Sequence, residues 1–387
     1  MSSLHSSIFS ATANASALRL IVRLKPANAD GIVYPPTYEG GEHIFRPAWI
    51  DGKERQAVLL DSVQSQANRI ELAILDAHRR GKINYPDIKL LVNASTGNEE
   101  YSVLELSHRV YDAALRNMST YNEIPFAKSE PGKAIYAARA EKATGLFKHA
   151  PITLVLGGWD SHGGGGPLVA KLPRVITSEI IGLDAKRVQR GAGRIDPMDI
   201  RKDAGPIYRS MDHESLWETE IEKSADRKSL DPSKAGLGNI PPTISERGAV
   251  ITEAVQTSLI SLSAVRRLRF EMEDESYKDE RDHAGQAVIV ALALFGLLAQ
   301  IQSGYCLRSG CDLFPIDAPK LEIIGTSLEK TELLSVTVKD ALEALEKSLS
   351  DAKANGLLWR EKALLVMASQ PLRTMVERSR RATESEN

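Results

Sequence analysis

Apolar residues recur along the first half of the chain at two spacings, one typical of helices and one of strands. Residues 62–80 and 102–116 carry apolar side chains at helical spacing, which predicts two helices. Four shorter apolar runs predict strands, at residues 17–24, 88–93, 152–156 and 174–183. Intermixed strands and helices imply a layered α/β or α+β architecture.

The pattern changes twice further along the chain. Between residues 186 and 248 charge density rises and apolar periodicity is lost, which indicates a long and partly ordered insertion. Beyond Gly248 the spacing becomes largely helical, with one amphipathic helix predicted over residues 338–349 and another over 357–367.

Composition limits the cellular setting. The 387 residues are 42% hydrophobic, which suits one large elaborated domain or two smaller ones. The longest apolar stretch, residues 287–299, is short of a bilayer span, so we expect a buried helix and no membrane partner. The sequence shows no secretory signal and has only two cysteines, which favours a cytoplasmic location.

The total charge bears on nucleic-acid binding. An autonomous nucleic-acid binder usually carries a basic surplus, so the formal net charge of −2 weakens the case that this chain binds nucleic acid alone. The same total still permits a local basic track, because a charge acts only within about 10 Å at ordinary salt.

The first unusual run is the predicted helix start at residues 61–71. Its expected exposed face carries amides and hydroxyls with one arginine, and Ser62, Gln66 and Arg69 share one side of the helix. Such groups contact phosphate oxygens and sugar hydroxyls without reading sequence. Asp61 with Gln64 fits a capping box. The alternative is a polar helix face with a good cap.

The second run, residues 157–166, is rich in glycine and follows a predicted strand. Its backbone amides suit an anion, and Trp159 suits base stacking. The run lacks the Gly-Lys-Ser/Thr ending of a P-loop and the glycine spacing of a dinucleotide fingerprint. Asp160, Ser161 and His162 suggest a hydrolytic triad, but sequence neighbours rarely converge on one atom. The alternative is a flexible loop at a strand end.

The third run is basic, with Lys186, Arg187, Arg190 and Arg194 and no acid among nine residues. Cations separated by small residues suit a phosphate track, and the alternative is a solvated basic loop. The histidines are scattered and no metal-binding motif occurs, so we predict neither a metal site nor a cofactor.

The order of these runs resembles a known family, the RAMP-superfamily backbone protein of type I-G (formerly I-U) CRISPR systems. The resemblance covers about residues 33–270, and its most specific part is Ser62-Val-Gln-Ser-Gln-Ala-Asn-Arg69. The other matching segments are Tyr34-Pro-Pro-Thr37, Gly158-Trp-Asp-Ser161, Arg174–Gly182, Gly238-Asn-Ile-Pro-Pro242 and Leu262–Phe270.

This resemblance implies an α+β fold with an RRM-like (ferredoxin-like) palm over residues 15–281. Residues 186–248 would form finger or thumb insertions within the palm, and residues 282–387 would form a helical C-terminal region. The palm would lack the paired aromatics of RRM-type readers, since no such motif is legible in the sequence.

The resemblance also implies a non-catalytic subunit of a Cascade surveillance complex. Several copies would line one crRNA, which pairs with the target DNA strand, beside a large subunit and a guide-processing or end-capping subunit. By similarity, the residues expected to contact the RNA are Ser62, Gln64, Gln66, Asn68, Arg69, Trp159, Ser161, His162, Arg174, Lys186, Arg187, Arg190 and Arg194.

Two other functions compete with this interpretation. Related backbone subunits of type III systems cut target RNA with an acidic residue, and Asp160 is the candidate here. A small-molecule enzyme would instead use the glycine-rich run as a phosphate cradle and would bind its ligand without RNA.

Overall fold

The computed structural model describes residues 3–94, 97–160, 171–201, 204–210, 216–219, 228–326 and 331–386. Ser161 and His162 lie outside these residues. The α-helices of the described residues are α1 (Leu4–Asn14), α2 (Val63–Arg79), α3 (Ala113–Arg116), α4 (Glu130–Ala137), α5 (Thr144–His149), α6 (Ile152–Leu156), α7 (Leu262–Val265), α8 (Asp279–Gln302), α9 (Val338–Ala354) and α10 (Gln370–Glu386).

The strands of the described residues fall into two larger sheets and several short ribbons. They are β1 (Ala15–Pro26), β2 (Ile32–Val33), β3 (Phe45–Ile50), β4 (Lys53–Asp61), β5 (Ile88–Ala94), β6 (Gly97–Ser102), β7 (Ser119–Tyr121), β8 (Ile124–Pro125), β9 (Gly158–Trp159), β10 (Lys171–Leu172), β11 (Ile176–Leu183), β12 (Lys186–Arg187), β13 (Arg190–Arg194), β14 (Tyr208–Arg209), β15 (Trp217–Glu218), β16 (Ile240–Ser245), β17 (Ala249–Val250), β18 (Glu253–Ser261), β19 (Tyr305–Arg308), β20 (Cys311–Pro315), β21 (Lys320–Gly325), β22 (Thr331–Ser335) and β23 (Leu364–Ala368).

The larger sheet has nine strands and is built around β1. Its order is β19-β20-β1-β18-β11-β4-β3, with β21 also pairing β1 and β22 pairing β21. All of these neighbours are antiparallel. The fold is therefore α+β, as the sequence predicts. The sheet exceeds the four strands of an RRM, so the RRM-like palm stays a prediction.

One face of this sheet packs on the main hydrophobic core. Alternate residues of β1, namely Leu20, Val22 and Leu24, are buried there. Helix α8 runs through the same core, and every residue from Ala284 to Leu298 is buried, as expected of a core helix. By length and composition α8 qualifies as a membrane span, but 89% of its apolar window is buried inside the protein. The predicted buried helix at 287–299 is confirmed.

Helices α2 and α8 contact each other closely because one of them carries a glycine at the crossing. A Cβ on Gly296 of α8 would lie 2.8 Å from Ile74 Cδ1 and 2.9 Å from Ile70 Cγ2. These isoleucines belong to the predicted apolar face of α2, and both are fully buried. The close contact fixes α2, and hence its polar first turn, against the core.

The opposite face of the central sheet carries ion pairs and a small apolar cluster. Arg23 and Arg55 both pair with Glu253, at 3.0 Å and 2.7 Å. The apolar cluster consists of Ala57, Leu59, Ile181, Leu183 and Val255. The three central strands β1, β18 and β11 present no aromatic side chain on this face. It therefore lacks the stacking platform of an RRM-type reader.

The second sheet shows where local patterns mislead. Its order is β6-β5-β23-β7-β8, and β23 runs parallel to β5. The sequence predicts a helix over residues 357–367, but residues 364–368 form β23. Leu364 and Val366 are buried and Leu365 is half exposed. This alternation of buried and exposed side chains is typical of a strand. In the sequence it extends over only five residues, which is too few to distinguish a strand from part of an apolar helix.

Two further predicted elements are wrong for local reasons. Residues 152–156 form helix α6, because five apolar residues after Pro151 have no periodicity that separates a strand from a buried helix. Residues 102–116 contain only a short 3₁₀ helix at Arg109–Tyr111 and the short helix α3 at their end. Arg109 has a φ of 53°, which an α-helix does not accommodate, and Asp112 caps α3 instead.

The expected helical C-terminal region is also mixed. Within the described part of residues 282–387, strands β19, β20 and β21 join the central sheet and β23 joins the second one. Helix α9 is confirmed, and it begins with a capping box between Thr337 and Asp340. Between residues 186 and 248, the described strands form two-stranded ribbons, β13 with β16 and β14 with β15, and β12 pairs β17.

Burial of His149 predicts an acid-sensitive fold. Burial, with Lys148 and Arg360 nearby, lowers the pKa of His149 to about 4. Below pH 6.5 His149 binds a proton in the unfolded chain, whereas in the folded protein it stays neutral until about pH 4. The free energy of unfolding therefore falls as pH falls through this window. We expect about 2 kcal/mol less stability at pH 5 than at pH 7 from this group. In urea unfolding, the free energy of unfolding of His149→Gln should depend less steeply on pH between pH 5 and pH 7 than that of the wild type. The same pH dependence in both proteins would contradict the lowered pKa of His149.

Candidate nucleic-acid interface

Helix α2 begins at Ser62 and not, as predicted, with an Asp61–Gln64 capping box. The Ser62 hydroxyl accepts a hydrogen bond from the Ser65 amide at 3.3 Å. Asp61 is the last residue of β4, and its side chain is fully buried. Since the cap is a neutral hydroxyl, the positive end of the helix dipole is not compensated by a capping carboxylate.

Asp61 instead holds two arginines at the edge of the core. One carboxylate oxygen accepts from Arg69 Nε at 2.9 Å and from Gln66 Nε2 at 2.6 Å. The other oxygen lies 3.4 Å from Arg308 Nη2. Arg69 also donates to the Leu307 carbonyl at 2.8 Å. These contacts fix Arg69 and Arg308 side by side.

Gln66 is fully buried, so the predicted exposed face of Ser62, Gln66 and Arg69 is wrong at its middle position. The side-chain amide oxygen of Gln66 (Oε1) accepts hydrogen bonds from Ser178 Oγ at 2.9 Å and from Gln256 Nε2 at 2.8 Å. A residue satisfied in this way on the core side of α2 is not available to a ligand. Gln64 and Asn68 are exposed, and Ser62 and Arg69 are partly exposed.

Arg308 connects Asp61 and Arg69 with the basic run through Tyr34. Its Nη1 lies 3.5 Å from the Tyr34 carbonyl oxygen, and the Tyr34 amide donates to the Gly310 carbonyl at 3.1 Å. The guanidinium of Arg190 lies over the Tyr34 ring, 5.0 Å from its centre. We call Arg69, Arg190 and Arg308, with Asp61 and Tyr34 between them, the arginine cluster.

The arginine cluster has a surplus of positive charge. It contains three guanidinium groups and one carboxylate, and that carboxylate is wholly inside. The side chains of Arg69 and Arg308 are 26% and 28% exposed, and Arg190 is exposed. A ligand at this surface therefore meets cations, with the only acid of the cluster behind them. That arrangement favours an anionic ligand.

Neither Arg308 nor Tyr34 is among the residues predicted to bind RNA. Tyr34 belongs to a matching segment of the sequence resemblance, which is a usable signal. Arg308 lies beyond the residues that the resemblance covers, at the end of β19, and nothing in its sequence neighbourhood sets it apart. Only the pairing of β20 with β1 brings it near α2.

The basic run lies on two short strands. Arg187 pairs with Glu42 at 3.0 Å and lies 4.6 Å from the centre of the Phe45 ring, so its charge is partly neutralised. Lys186, Arg190 and Arg194 are exposed. The charge of Lys186 lies near Asp184, whereas Arg190 and Arg194 form no ion pair within the described residues. The ribbon of β13 and β16 therefore extends the positive surface away from the arginine cluster.

Trp159 and Arg174, two of the residues predicted to bind RNA, are not part of the arginine cluster. Trp159 lies on β9, 67% exposed, and Arg174 donates to the Leu156 carbonyl at 3.3 Å. Beside Arg174, Glu71 of α2 pairs with Arg109, whose Nη2 lies 3.3 Å from Glu71 Oε2. Burial lowers the pKa of Arg174 and raises that of Glu71. Arg174 is thus partly buried beside an ion pair. Its guanidinium group is less accessible to a ligand than that of Arg190, which is exposed.

Asp160 is paired and buried. Its carboxylate accepts from Arg116 Nη1, and the two side chains are 9% and 10% exposed. The Arg116 guanidinium also lies 5.3 Å from the centre of the Tyr136 ring. Among the described residues, no group of three or more His, Cys, Asp or Glu side chains is placed to hold a metal ion.

Comparison with known proteins points to CRISPR systems. Residues 18–187, somewhat less than half of the chain, match the family described as CRISPR-associated protein GSU0053. This match supports a CRISPR-associated protein. It includes most of β1, all of α2 and β11 and the glycine-rich run, but ends before Arg190 and Arg308.

The crystal structure of Csc2 from Thermofilum pendens is similar at 13% sequence identity. The alignment covers 88% of this chain and 74% of that chain, with a TM-score of 0.29, which is too low to define a shared fold. The sequence matches none of the curated proteins.

Proposed function

We propose that this protein is a non-catalytic, guide-RNA-binding backbone subunit of a CRISPR surveillance (Cascade) complex. The observation that carries the proposal is the arginine cluster, in which two guanidinium groups contact one buried carboxylate and a third lies over the Tyr34 ring. The family match over residues 18–187 supplies the CRISPR setting. The CRISPR type is the I-G type that the sequence resemblance implies.

The geometry suits a ligand that is held by its sugar-phosphate backbone. A guanidinium group can donate two parallel hydrogen bonds to the oxygens of one phosphate. Asp61 fixes the orientation of two such groups, those of Arg69 and Arg308. Ser62, Gln64 and Asn68, on the accessible part of α2, are placed to meet sugar hydroxyls. In this proposal these groups contact the sugar-phosphate backbone and not the base edges. In guide-RNA complexes sequence is read by base pairing, so backbone contacts suffice.

The path of the RNA in this proposal runs from the start of α2, past Arg308 and Tyr34, to the ribbon that carries Arg190 and Arg194. Trp159, outside the arginine cluster, would stack on a base. Further copies of the chain would continue the path along the same guide, because a head-to-tail contact that does not close builds a filament. The large subunit, the end-capping subunit and the target DNA strand complete the proposed assembly, in the cytoplasm.

Removing two cations of the ribbon should weaken RNA binding without altering sequence preference. For Arg190→Ala with Arg194→Ala we expect an affinity loss of about tenfold or more and a salt slope smaller by about one to two. The measurement is fluorescence anisotropy of labelled crRNA-length RNA with two unrelated spacers, over a salt series.

Lys347→Ala with Lys353→Ala is the matched control, since both lysines are exposed on α9 and outside the proposed path. It removes the same charge and should leave affinity and slope nearly unchanged. Equal losses in both double variants would show only a non-specific charge effect and would remove the ribbon from the RNA path.

A further inference from the structure

Gln256 places an amide side chain inside the hydrophobic core. It lies on β18, and its neighbours across the sheet are Val22 of β1 and Ile180 of β11. All three residues are fully buried. Burying an amide among apolar residues is unfavourable unless its N–H and C=O groups are hydrogen-bonded. The partners of Gln256 therefore decide which parts of the fold this side chain holds together.

The two ends of the Gln256 amide bind the two elements that carry arginines of the cluster. Its Nε2 donates to Gln66 Oε1 of α2 at 2.8 Å. Its Oε1 accepts from the Tyr305 hydroxyl of β19 at 2.6 Å. Arg69 lies on α2, one helical turn after Gln66, and Arg308 lies at the other end of β19 from Tyr305. One buried side chain thus joins the elements that position two of the three arginines of the cluster.

The direction of these hydrogen bonds is set at Asp61. A carboxylate only accepts hydrogen bonds, so the amide nitrogen of Gln66 faces Asp61, at 2.6 Å, and its amide oxygen faces Gln256. Gln256 must then present its nitrogen to Gln66 and its oxygen to Tyr305, whose hydroxyl donates. The chain of hydrogen bonds from Tyr305 to Asp61 therefore has a single arrangement of donors and acceptors.

Further buried groups hold the amide nitrogen of Gln256 in place. It also lies 3.1 Å from Ser178 Oγ and 3.0 Å from Gln300 Oε1. Ser258 donates to the Ser178 hydroxyl at 2.8 Å. These three residues belong to β11, α8 and β18, and each of them is buried. A hydrogen-bond network inside the protein is stronger than the same bonds in water, so it holds its members rigidly.

We infer that Gln256 is a positioning residue for the arginine cluster, an inference that rests on the proposed RNA-binding function. Gln256 is fully buried and does not touch the ligand. It holds α2 against β19, so that Arg69 and Arg308 stand at a fixed spacing beside Asp61. Arg69 completes the same link, because its Nη2 donates to the Leu307 carbonyl of β19 at 2.8 Å. Hydrogen bonds from two guanidinium groups to phosphates depend on that spacing, since they weaken steeply when misaligned.

The test compares the same substitution at two buried glutamines. Methionine is unbranched like glutamine, but in Gln256→Met both hydrogen bonds of the amide are lost. We expect RNA affinity, measured by fluorescence anisotropy, to fall about fivefold or more and the salt slope to decrease by about one. Gln286→Met is the matched control, because Gln286 is also buried but donates to the Leu268 carbonyl at 3.0 Å, away from the cluster. It should bind RNA normally, and urea unfolding gives the stability of both variants.

Arg308→Ala provides a readout that a loss of stability alone does not change. Asp61 retains its hydrogen bond to Arg69 in this variant. If Gln256 acts through the arginines, Gln256→Met should cost less RNA affinity in the Arg308→Ala chain than in the wild type, about twofold or less. Equal losses in the two chains, equal losses for Gln256→Met and Gln286→Met, or no loss would overturn the inference.

A second variant and a measurement without RNA separate this inference from the proposed function. Tyr305→Phe removes one hydroxyl, so the test does not depend on the folding of Gln256→Met, and it should cause a smaller loss of affinity. In the free protein, the NMR signal of the Arg69 Nε–H group reports its contact with Asp61. This signal should shift in Gln256→Met but not in Gln286→Met. A shift in a chain that never binds RNA would support the positioning role and contradict the proposed RNA function. An unchanged signal and affinity in a chain that binds RNA would overturn the positioning role alone.

Discussion

Replacing Asp61 by alanine is expected to lower the free energy of unfolding by about 3–5 kcal/mol, the usual cost of removing one partner from a buried ion pair. Asp61 is fully buried, and its two oxygens serve Gln66, Arg69 and Arg308. Without the carboxylate, two guanidinium groups face each other at the edge of the core. Urea unfolding followed by circular dichroism gives the difference.

Two further variants make the Asp61 prediction specific. Asp61→Asn retains an acceptor for Gln66 and Arg69 but no charge, so its loss should be smaller than that of the alanine variant. Glu343→Ala removes an exposed acid whose distance to Lys339 is 3.8 Å, and should cost less than about 0.5 kcal/mol. A loss below about 1 kcal/mol for Asp61→Ala would mean that Asp61 does not organise the two arginines.

Replacing Asp160 by alanine should destabilise the protein by about 3–5 kcal/mol as well, for a different pair. The Arg116–Asp160 pair is almost fully buried, and Tyr136 covers the guanidinium. Removing both charges with Arg116→Met and Asp160→Ala should recover part of the loss, because no unpaired charge then remains buried. A double variant as unstable as the sum of the single variants would argue against coupling.

Asp160 also allows a test of whether the protein is a non-catalytic scaffold or a ribonuclease. In the proposed function Asp160 is structural, so purified complex should leave matched RNA uncut with or without added divalent metal. The comparison uses Asp160→Asn, which preserves size, after its unfolding midpoint has been measured. Metal-dependent cutting by the wild-type complex that is lost in a folded Asp160→Asn variant would contradict the non-catalytic proposal.

Strong periodicity and long apolar strands account for the part of the fold that the sequence predicts. Strands β1, β5 and β11 and helix α2 lie where the spacing places them, within two residues at their ends. Each has a face buried in the core, so the sequence signal and the tertiary structure agree. Short elements carry no comparable signal, which explains why α6 appears as a strand in the sequence.

The site was predictable only where its residues are local. Ser62, Arg69 and the basic run stand out as polar or basic stretches, and the structure connects Arg69 to Arg190. Two facts depend on pairings between distant segments. Gln66 is buried because Ser178 and Gln256 meet it across the sheet, and Arg308 reaches Asp61 through the β19–β20 hairpin. No local pattern contains either fact.

The central claim is that the chain binds guide RNA along a positive surface shared by successive copies. Native mass spectrometry after co-expression with a CRISPR array tests it most directly. The expected result is one RNA of fixed length carrying several copies of the chain, with fewer copies retained when Arg190 and Arg194 are both replaced by alanine, a change that leaves the buried pairs of Asp61 intact. A chain that emerges without nucleic acid, as a single copy, would contradict the claim.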